Sequence, residues 1–192
     1  MKKVKVIEVQ RMTRFNGDRK IGLDTNVLIK LYDNPYFFEY EESRIFNLRE
    51  TIFIHAQCQW EFINYIKKHK RISEQEARTE AKNFVRVHNI NIIYPKECII
   101  KKEEITSFED YANKRFKELN KTNLKCHFPD SFILLSYQKS GINKIISTDL
   151  SFRESAQLLN IDGASLPSLN YNISREFKKI FNYKYKNEKR RH

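Results

Sequence analysis

Glycine, proline and cysteine are all scarce in this chain, with four, four and three copies among 192 residues. The glycines are Gly17, Gly22, Gly141 and Gly163, too scattered for a G-x-G-x-x-G turn or a Walker-type phosphate loop. Cys58, Cys98 and Cys126 are odd in number, far apart and without a C-x-x-C pair. That spacing speaks against a disulfide framework and against a structural zinc site, leaving reduced, partly buried thiols. No stretch approaches the roughly 20 apolar residues that cross a bilayer. The first eight residues carry lysines inside their apolar part and no small-residue cleavage site, so they do not read as a secretory signal. The chain therefore reads as cytoplasmic, with no membrane partner. The five histidines (His55, His69, His88, His127, His192) make no ligand pair on one helix face and suit surface or core roles. Cys126-His127 are neighbours in sequence, whereas nucleophilic catalysis needs a spatial pairing.

What is present is a real core and an uneven charge. Hydrophobic residues make up 40% of the chain, with 14 Phe and 10 Tyr. The length suits one domain with short extensions. The net charge of +12 is concentrated at the ends: residues 1–20 carry seven Lys/Arg against two acids, and 175–192 carry eight against two. The nearly neutral middle reads as the globular body. In the tail, Lys178, Lys179, Lys184 and Lys186 interleave with Phe181, Tyr183 and Tyr185, a pattern that suits phosphate contact plus base stacking. A solvated, lysine-rich terminus explains the same residues. So does a solvated helix end for the run Lys67-Lys68-His69-Lys70-Arg71.

Strand and helix patterns alternate. A β-like piece at 4–9 is separated by Gly17-Asp18 from a core strand at 19–23, and helical patterning follows at 25–32 and 38–49. A strand at 51–54 leads into a helix at 56–69, on which Trp60, Ile63 and Ile66 have the spacing of one apolar face. A helix at 73–88, a strand at 90–94 and a helix at 107–119 follow. Ser73 with Glu76 and Ser151 with Glu154 match the capping box, and Ser107 with Asp110 is a weaker variant. Pro129 and Gly141 bracket a helix at 129–140, with Pro early and Gly late. A strand at 144–147, a helix at 151–159 and a last short strand near 160–164 complete the body. The alternation predicts α/β architecture, a three-layer α/β/α sandwich around a central, mostly parallel sheet.

Four acids stand at strand-to-helix junctions. Asp24 closes Ile21-Gly22-Leu23 at the carboxyl edge of a strand, where open α/β folds place their sites; it also suits the N-cap of the next helix. Glu61 and Asp130 lie early in helices, where the dipole alone would favour them. Asp149 follows Ile145-Ile146-Ser147-Thr148, and with Ser151 and Glu154 forming a capping box it is not needed as a cap. Two like charges 4 Å apart repel by about 4 kcal/mol at an effective dielectric of 20. Four such carboxylates together would require a cation, and an all-oxygen site suits Mg²⁺ or Mn²⁺. One or two such ions activate water for in-line attack on a phosphodiester.

Gly22-Leu23-Asp24-Thr25-Asn26-Val27-Leu28-Ile29 closely resembles the opening motif of PIN domains. Ser147-Thr148-Asp149-Leu150-Ser151-Phe152 is similar to the closing T-x-D-x-x-F pattern, with Thr here immediately before Asp149. Glu61 falls where that family carries its helix glutamate, and Asp130 resembles its third acid. The helix after Asp130 departs from the pattern, having Phe-Ile-Leu-Leu in place of small residues. The resemblance covers residues 19–166, flanked by a basic extension at 1–18 and a basic, aromatic tail at 167–192. It implies a flavodoxin-like sandwich with a Mg²⁺- or Mn²⁺-dependent nuclease centre acting on RNA. In it Asp24, Glu61, Asp130 and Asp149 would be metal ligands, with Thr25, Asn26 and Thr148 as their supporting partners. The resemblance further implies dimer formation, an RNA-processing or toxin role, and, for a toxin, an antitoxin protein as partner. A catalytically silent RNA-binding module acting through the basic termini is the alternative.

Overall fold

The computed structural model describes residues 19–34 and 50–165. The β-like piece at 4–9, the helix expected at 38–49, the two extensions and the tail lysines lie outside the described residues.

Five strands form one all-parallel sheet in the order β3-β2-β1-β4-β5. They are β1 Arg19–Leu23, β2 Glu50–His55, β3 Asn91–Ile93, β4 Lys144–Ile146 and β5 Asp162–Ala164. Central β1 is flanked on both sides, and its Ile21-Gly22-Leu23 is buried without alternation, as a strand covered on both faces should be. Helix α1 is Thr25–Asp33, α2 Ala56–Lys70, α3 Glu74–Val87, α4 Lys102–Glu118, α5 Asp130–Lys139 and α6 Leu150–Leu158. The chain steps outward from β1 through β2 to β3, then returns past β1 to lay down β4 and β5. Right-handed crossovers therefore put α1, α2 and α3 on one face and α4, α5 and α6 on the other. The packing agrees, since α2 lies against α1 and α3, and α5 against α4 and α6. The result is the expected three-layer sandwich. Leu28, Leu31, Phe62 and Ile66 on one face and Phe116, Ile133, Leu134 and Phe152 on the other are almost completely buried. Each such side chain contributes about 1.5–3 kcal/mol of transfer free energy. Among the described residues no helix is long and apolar enough to cross a membrane.

Several helix ends follow the sequence closely. Ser73 and Glu76 make the reciprocal capping box of α3. Gly141, at φ +69°, ends α5 in the left-handed conformation that glycine adopts without penalty, and Ile142 N–H returns to Tyr137 O at 3.0 Å.

Three local expectations are corrected. Helix α4 starts five residues before the Ser107 expected to cap it, because the Glu104 carboxylate accepts the Lys101 N–H at 2.8 Å and secures the first turn there. Helix α6 is capped by Asp149, whose Oδ1 accepts the Phe152 N–H at 3.1 Å; Glu154 pairs with Lys121 at 2.7 Å instead of completing a box. Trp60 is 53% exposed, because the buried stripe of α2 centres on Phe62, with Cys58, Ile63 and Ile66. Two residues are about 200° apart around a helix, which turns Trp60 to the opposite side.

Candidate active site

The strand order reverses between β1 and β4, so the crevice beyond their carboxyl ends is the topological switch point of the sheet. Asp24 and Asp149 both stand there. Asp24 N–H continues the ladder to Ile146 O at 3.1 Å, and Asp24 then caps α1 by accepting the Thr25 N–H at 2.6 Å. Its other carboxylate oxygen accepts from Asn26 Nδ2 and from Ser147 Oγ, the latter at 2.6 Å. Asn26 reaches across the same seam, its Oδ1 accepting the Thr148 N–H at 3.0 Å. Ser147 Oγ in turn accepts the Asp149 N–H at 2.9 Å. A closed set of hydrogen bonds thus welds the end of β1 to the end of β4 and fixes two acids relative to each other. Thr148 takes part through its backbone; the hydroxyl between the two acids is Ser147's.

Glu61 arrives from α2. One carboxylate oxygen accepts from Thr25 Oγ1 and the other from Gln57 Nε2 at 3.0 Å, so Thr25 joins the first helix to the second acid. Asp130 is the first residue of α5, in its first turn. Among the described residues no donor reaches its carboxylate, although it is half-buried.

The electrostatics tie the four together. Burial raises the Asp24 carboxyl above its ordinary value; the bonds from Ser147 and Thr25 oppose this, and the charges of Asp149 and Glu61 add to it. Asp130 is pushed up to about 6, first by burial and then by Asp24, with Asp149 and Glu61 adding smaller increments and His127 working against them. Each of these two acids therefore carries the cost of the others' charge. Among the described residues no group of three or more His, Cys, Asp or Glu is close-set enough to hold a metal ion as it stands. The donor chemistry nevertheless fits a hard dication: four carboxylates, one of them without a hydrogen-bond donor among the described residues, with neighbouring charges that help to raise Asp24 and Asp130.

Other candidates fall away. The Cys126 thiol is buried and pushed up to about 11, and His127 Nδ1 lies 3.0 Å from Phe128 O, so the two make no nucleophile pair. The basic run at 67–71 closes α2, which starts at the acid-bearing edge and runs about 22 Å away from it. There Lys67 pairs with Glu74 at 3.6 Å and Lys70 with Glu80. The tail lysines Lys178, Lys179, Lys184 and Lys186 lie outside the described residues.

The sequence reading missed Tyr137 and Ser147, and it left His55 with the surface or core role that the structure resolves as core. Buried His55 caps α2, its Nδ1 accepting the Gln57 N–H at 3.1 Å; burial lowers it to about 4, which keeps the ring neutral. With Nδ1 accepting, the proton belongs on Nε2, which has no hydrogen-bond partner among the described residues; the ring as a whole packs edge to face with Phe132, ring centroids 5.0 Å apart. The signal for Ser147 was a lone hydroxyl closing an Ile-Ile strand one residue short of the Thr148-Asp149 pair. Nothing in the sequence distinguished Tyr137 from an ordinary core aromatic.

No protein-family profile and no curated protein sequence matches this chain. Solved structures do. The crystal structure of VapBC2 from Rickettsia felis, bound to a DNA fragment from its promoter, superposes with a TM-score of 0.52 at 13% identity over 76% of this chain and 98% of that one. VapBC-1 from nontypeable Haemophilus influenzae gives 0.49 at 14% identity, over 76% of this chain and 97% of that one. These are toxin–antitoxin complexes whose VapC member is a PIN domain. With the sheet order, the motif-bearing strand ends and this superposition in hand, the chain has a PIN-like α/β/α fold.

Proposed function

We propose that this chain is a divalent-metal-dependent ribonuclease that hydrolyses RNA phosphodiester bonds at the carboxyl edge of its sheet. Asp24, Glu61, Asp130 and Asp149 are the proposed ligands of one or two Mg²⁺ or Mn²⁺ ions. Such an ion supplies Lewis acidity and an activated water. The chain's own residues orient the ligands: Thr25 holds Glu61, and Asn26 and Ser147 hold Asp24 against the Thr148-Asp149 turn. The observation that carries this reading is the gathering of acids at the switch point, where the charges of Asp149 and Glu61 help to raise the Asp24 carboxyl and those of Asp24, Asp149 and Glu61 help to raise that of Asp130, a cost which a bound cation would relieve. The lysines at 178, 179, 184 and 186 are the proposed attraction for the RNA backbone, from the tail at 167–192. The likeness to VapBC2 supports a toxin-type role with an antitoxin protein as partner; a homodimer as the working form and the cytoplasm as its place belong to the same proposal.

The rival reading is a silent RNA-binding module working through its basic termini at 1–18 and 167–192. The absence of a ready-made three-ligand group among the described residues favours it. Incubation of the purified chain with varied RNAs and Mn²⁺, with and without chelator, separates the two. Chelator-sensitive cleavage, abolished in Asp24→Asn, supports the nuclease. Binding without cleavage, and without any stabilisation by Mn²⁺, supports the module.

A further inference from the structure

Tyr137 is completely buried two turns into α5, yet both hydrogen-bonding capacities of its hydroxyl are used. It donates to Leu23 O at 2.6 Å and accepts the backbone N–H of His55 at 3.1 Å. Leu23 directly precedes Asp24. His55 is the last residue of β2 and the N-cap of α2, the helix that carries Glu61. Asp130 opens the helix on which Tyr137 itself stands. One phenol therefore ties together the strand end that presents one acid, the helix start that presents a second, and the helix that presents a third.

The ring lies so close over Gly22 that a Cβ there would meet its Cε2 at 2.7 Å. A phenylalanine could occupy the same space, so packing does not call for the oxygen. A buried hydroxyl is a liability unless it is bonded, and here its two bonds go to the two backbone segments that leave the sheet toward the acids.

We propose that Tyr137 is a positioning residue of the carboxylate centre. Its hydroxyl sets the spacing of Asp24, Glu61 and Asp130, so that an incoming dication meets ligands already held near their working places. This rests on the reading of those acids as metal ligands. Loss of a group bonded directly to a metal ligand typically weakens metal affinity about 10–100-fold; Tyr137 acts one step further back, on the backbone of Leu23 and His55, so the lower end of that range is expected.

The test compares Mn²⁺ binding, by calorimetry and by the spin-resonance signal of the free ion, in the wild type, Tyr137→Phe and Ile142→Val. The last loses a methyl from a buried side chain just beyond α5 and leaves its backbone bond to Tyr137 O in place, so it controls for a core truncation that spares the hydroxyl. Mn²⁺ affinity should fall about tenfold or more in Tyr137→Phe and stay within about twofold of the wild type in Ile142→Val. Ribonuclease turnover of Tyr137→Phe should recover at saturating Mn²⁺ with KM for RNA unchanged. Tyr137→Phe binding Mn²⁺ as the wild type does overturns the inference, and so does equal weakening in both variants. A wild type that binds no Mn²⁺ removes the metal reading itself, which is a separate failure. Should Tyr137→Phe not fold, hydrogen exchange at the His55 amide of the wild type decides. Protection that deepens with Mn²⁺ supports the strut, and exchange as fast as in an open loop overturns it.

Discussion

Ser147 donates its hydroxyl to the Asp24 carboxylate at 2.6 Å across the seam between the first and fourth strands. The two residues are 123 apart in sequence, and the bond exists only because the sheet reverses its order between them. Ser147 is fully buried and also accepts the Asp149 N–H at 2.9 Å, so its hydroxyl is fully engaged. Replacing it leaves a buried carboxylate short of a donor and an amide short of an acceptor. Ser147→Ala should therefore cost about 1–3 kcal/mol, measured by urea denaturation. It should also lower metal-dependent turnover more than Thr148→Ala, because Thr148 contributes to the network through its backbone.

Asp130 gives the centre a pH dependence whose sign can be worked out. Its carboxyl is raised from 3.8 to about 6, chiefly by burial and by Asp24. Between those values the folded chain holds a proton that the unfolded chain has released, so without metal this group's contribution to stability falls as pH rises through the window. The loss is about 1–2 kcal/mol after allowance for solvent screening. Asp130→Asn has no such proton to lose. In chelator, its unfolding free energy at pH 7.5 should exceed that of the wild type by about that amount, and the difference should vanish near pH 4. Saturating Mn²⁺ should reverse the order at pH 7.5, since the intact ligand set gains RT ln(1+[L]/Kd). A wild type with no excess loss of stability between pH 4 and 6 would contradict the assignment.

Gly22 is required by contact rather than by conformation. A Cβ would meet Tyr137 ring carbons at 2.7 and 2.9 Å, and the fully buried ring has no free volume to enter. Gly22→Ala should cost about 1–3 kcal/mol from overpacking, read as a lower urea midpoint. Gly22→Ala combined with Tyr137→Phe should recover little, because the clash is with ring carbons and not with the hydroxyl.

Most of the layer order was legible in the sequence because it depends on short-range signals. Apolar runs ending in Asp24 and Asp149 mark central strands, and Ser73 with Glu76 and Gly141 mark helix ends. The misreadings came where two local solutions compete. Ser151 with Glu154 and Asp149 are both competent caps for α6, and tertiary contact decided between them: Glu154 is drawn to Lys121 and Ser151 Oγ to the Lys125 amide. Trp60 failed similarly, since Ile63 and Ile66 lie within reach of either stripe and only packing against α1 and α3 selects Phe62. Ser147 and Tyr137 were illegible for a different reason. Their roles are bonds to residues more than 80 positions away, which no window of sequence contains.

Asp149 has two duties that substitution can separate. Oδ1 accepts the Phe152 N–H at 3.1 Å and caps α6, while Oδ2 has no hydrogen-bond donor among the described residues and faces no such obligation. Asparagine caps a helix about as well as aspartate, whereas alanine forfeits about 1 kcal/mol. Asp149→Asn should therefore keep the wild-type urea midpoint in chelator, and Asp149→Ala should lower it. Both should lose Mn²⁺-induced stabilisation and RNA cleavage together, because neither supplies an anionic oxygen at Oδ2. If Asp149→Asn retained Mn²⁺ stabilisation and turnover, Asp149 would be a cap alone, and the centre would have to be built from Asp24, Glu61 and Asp130.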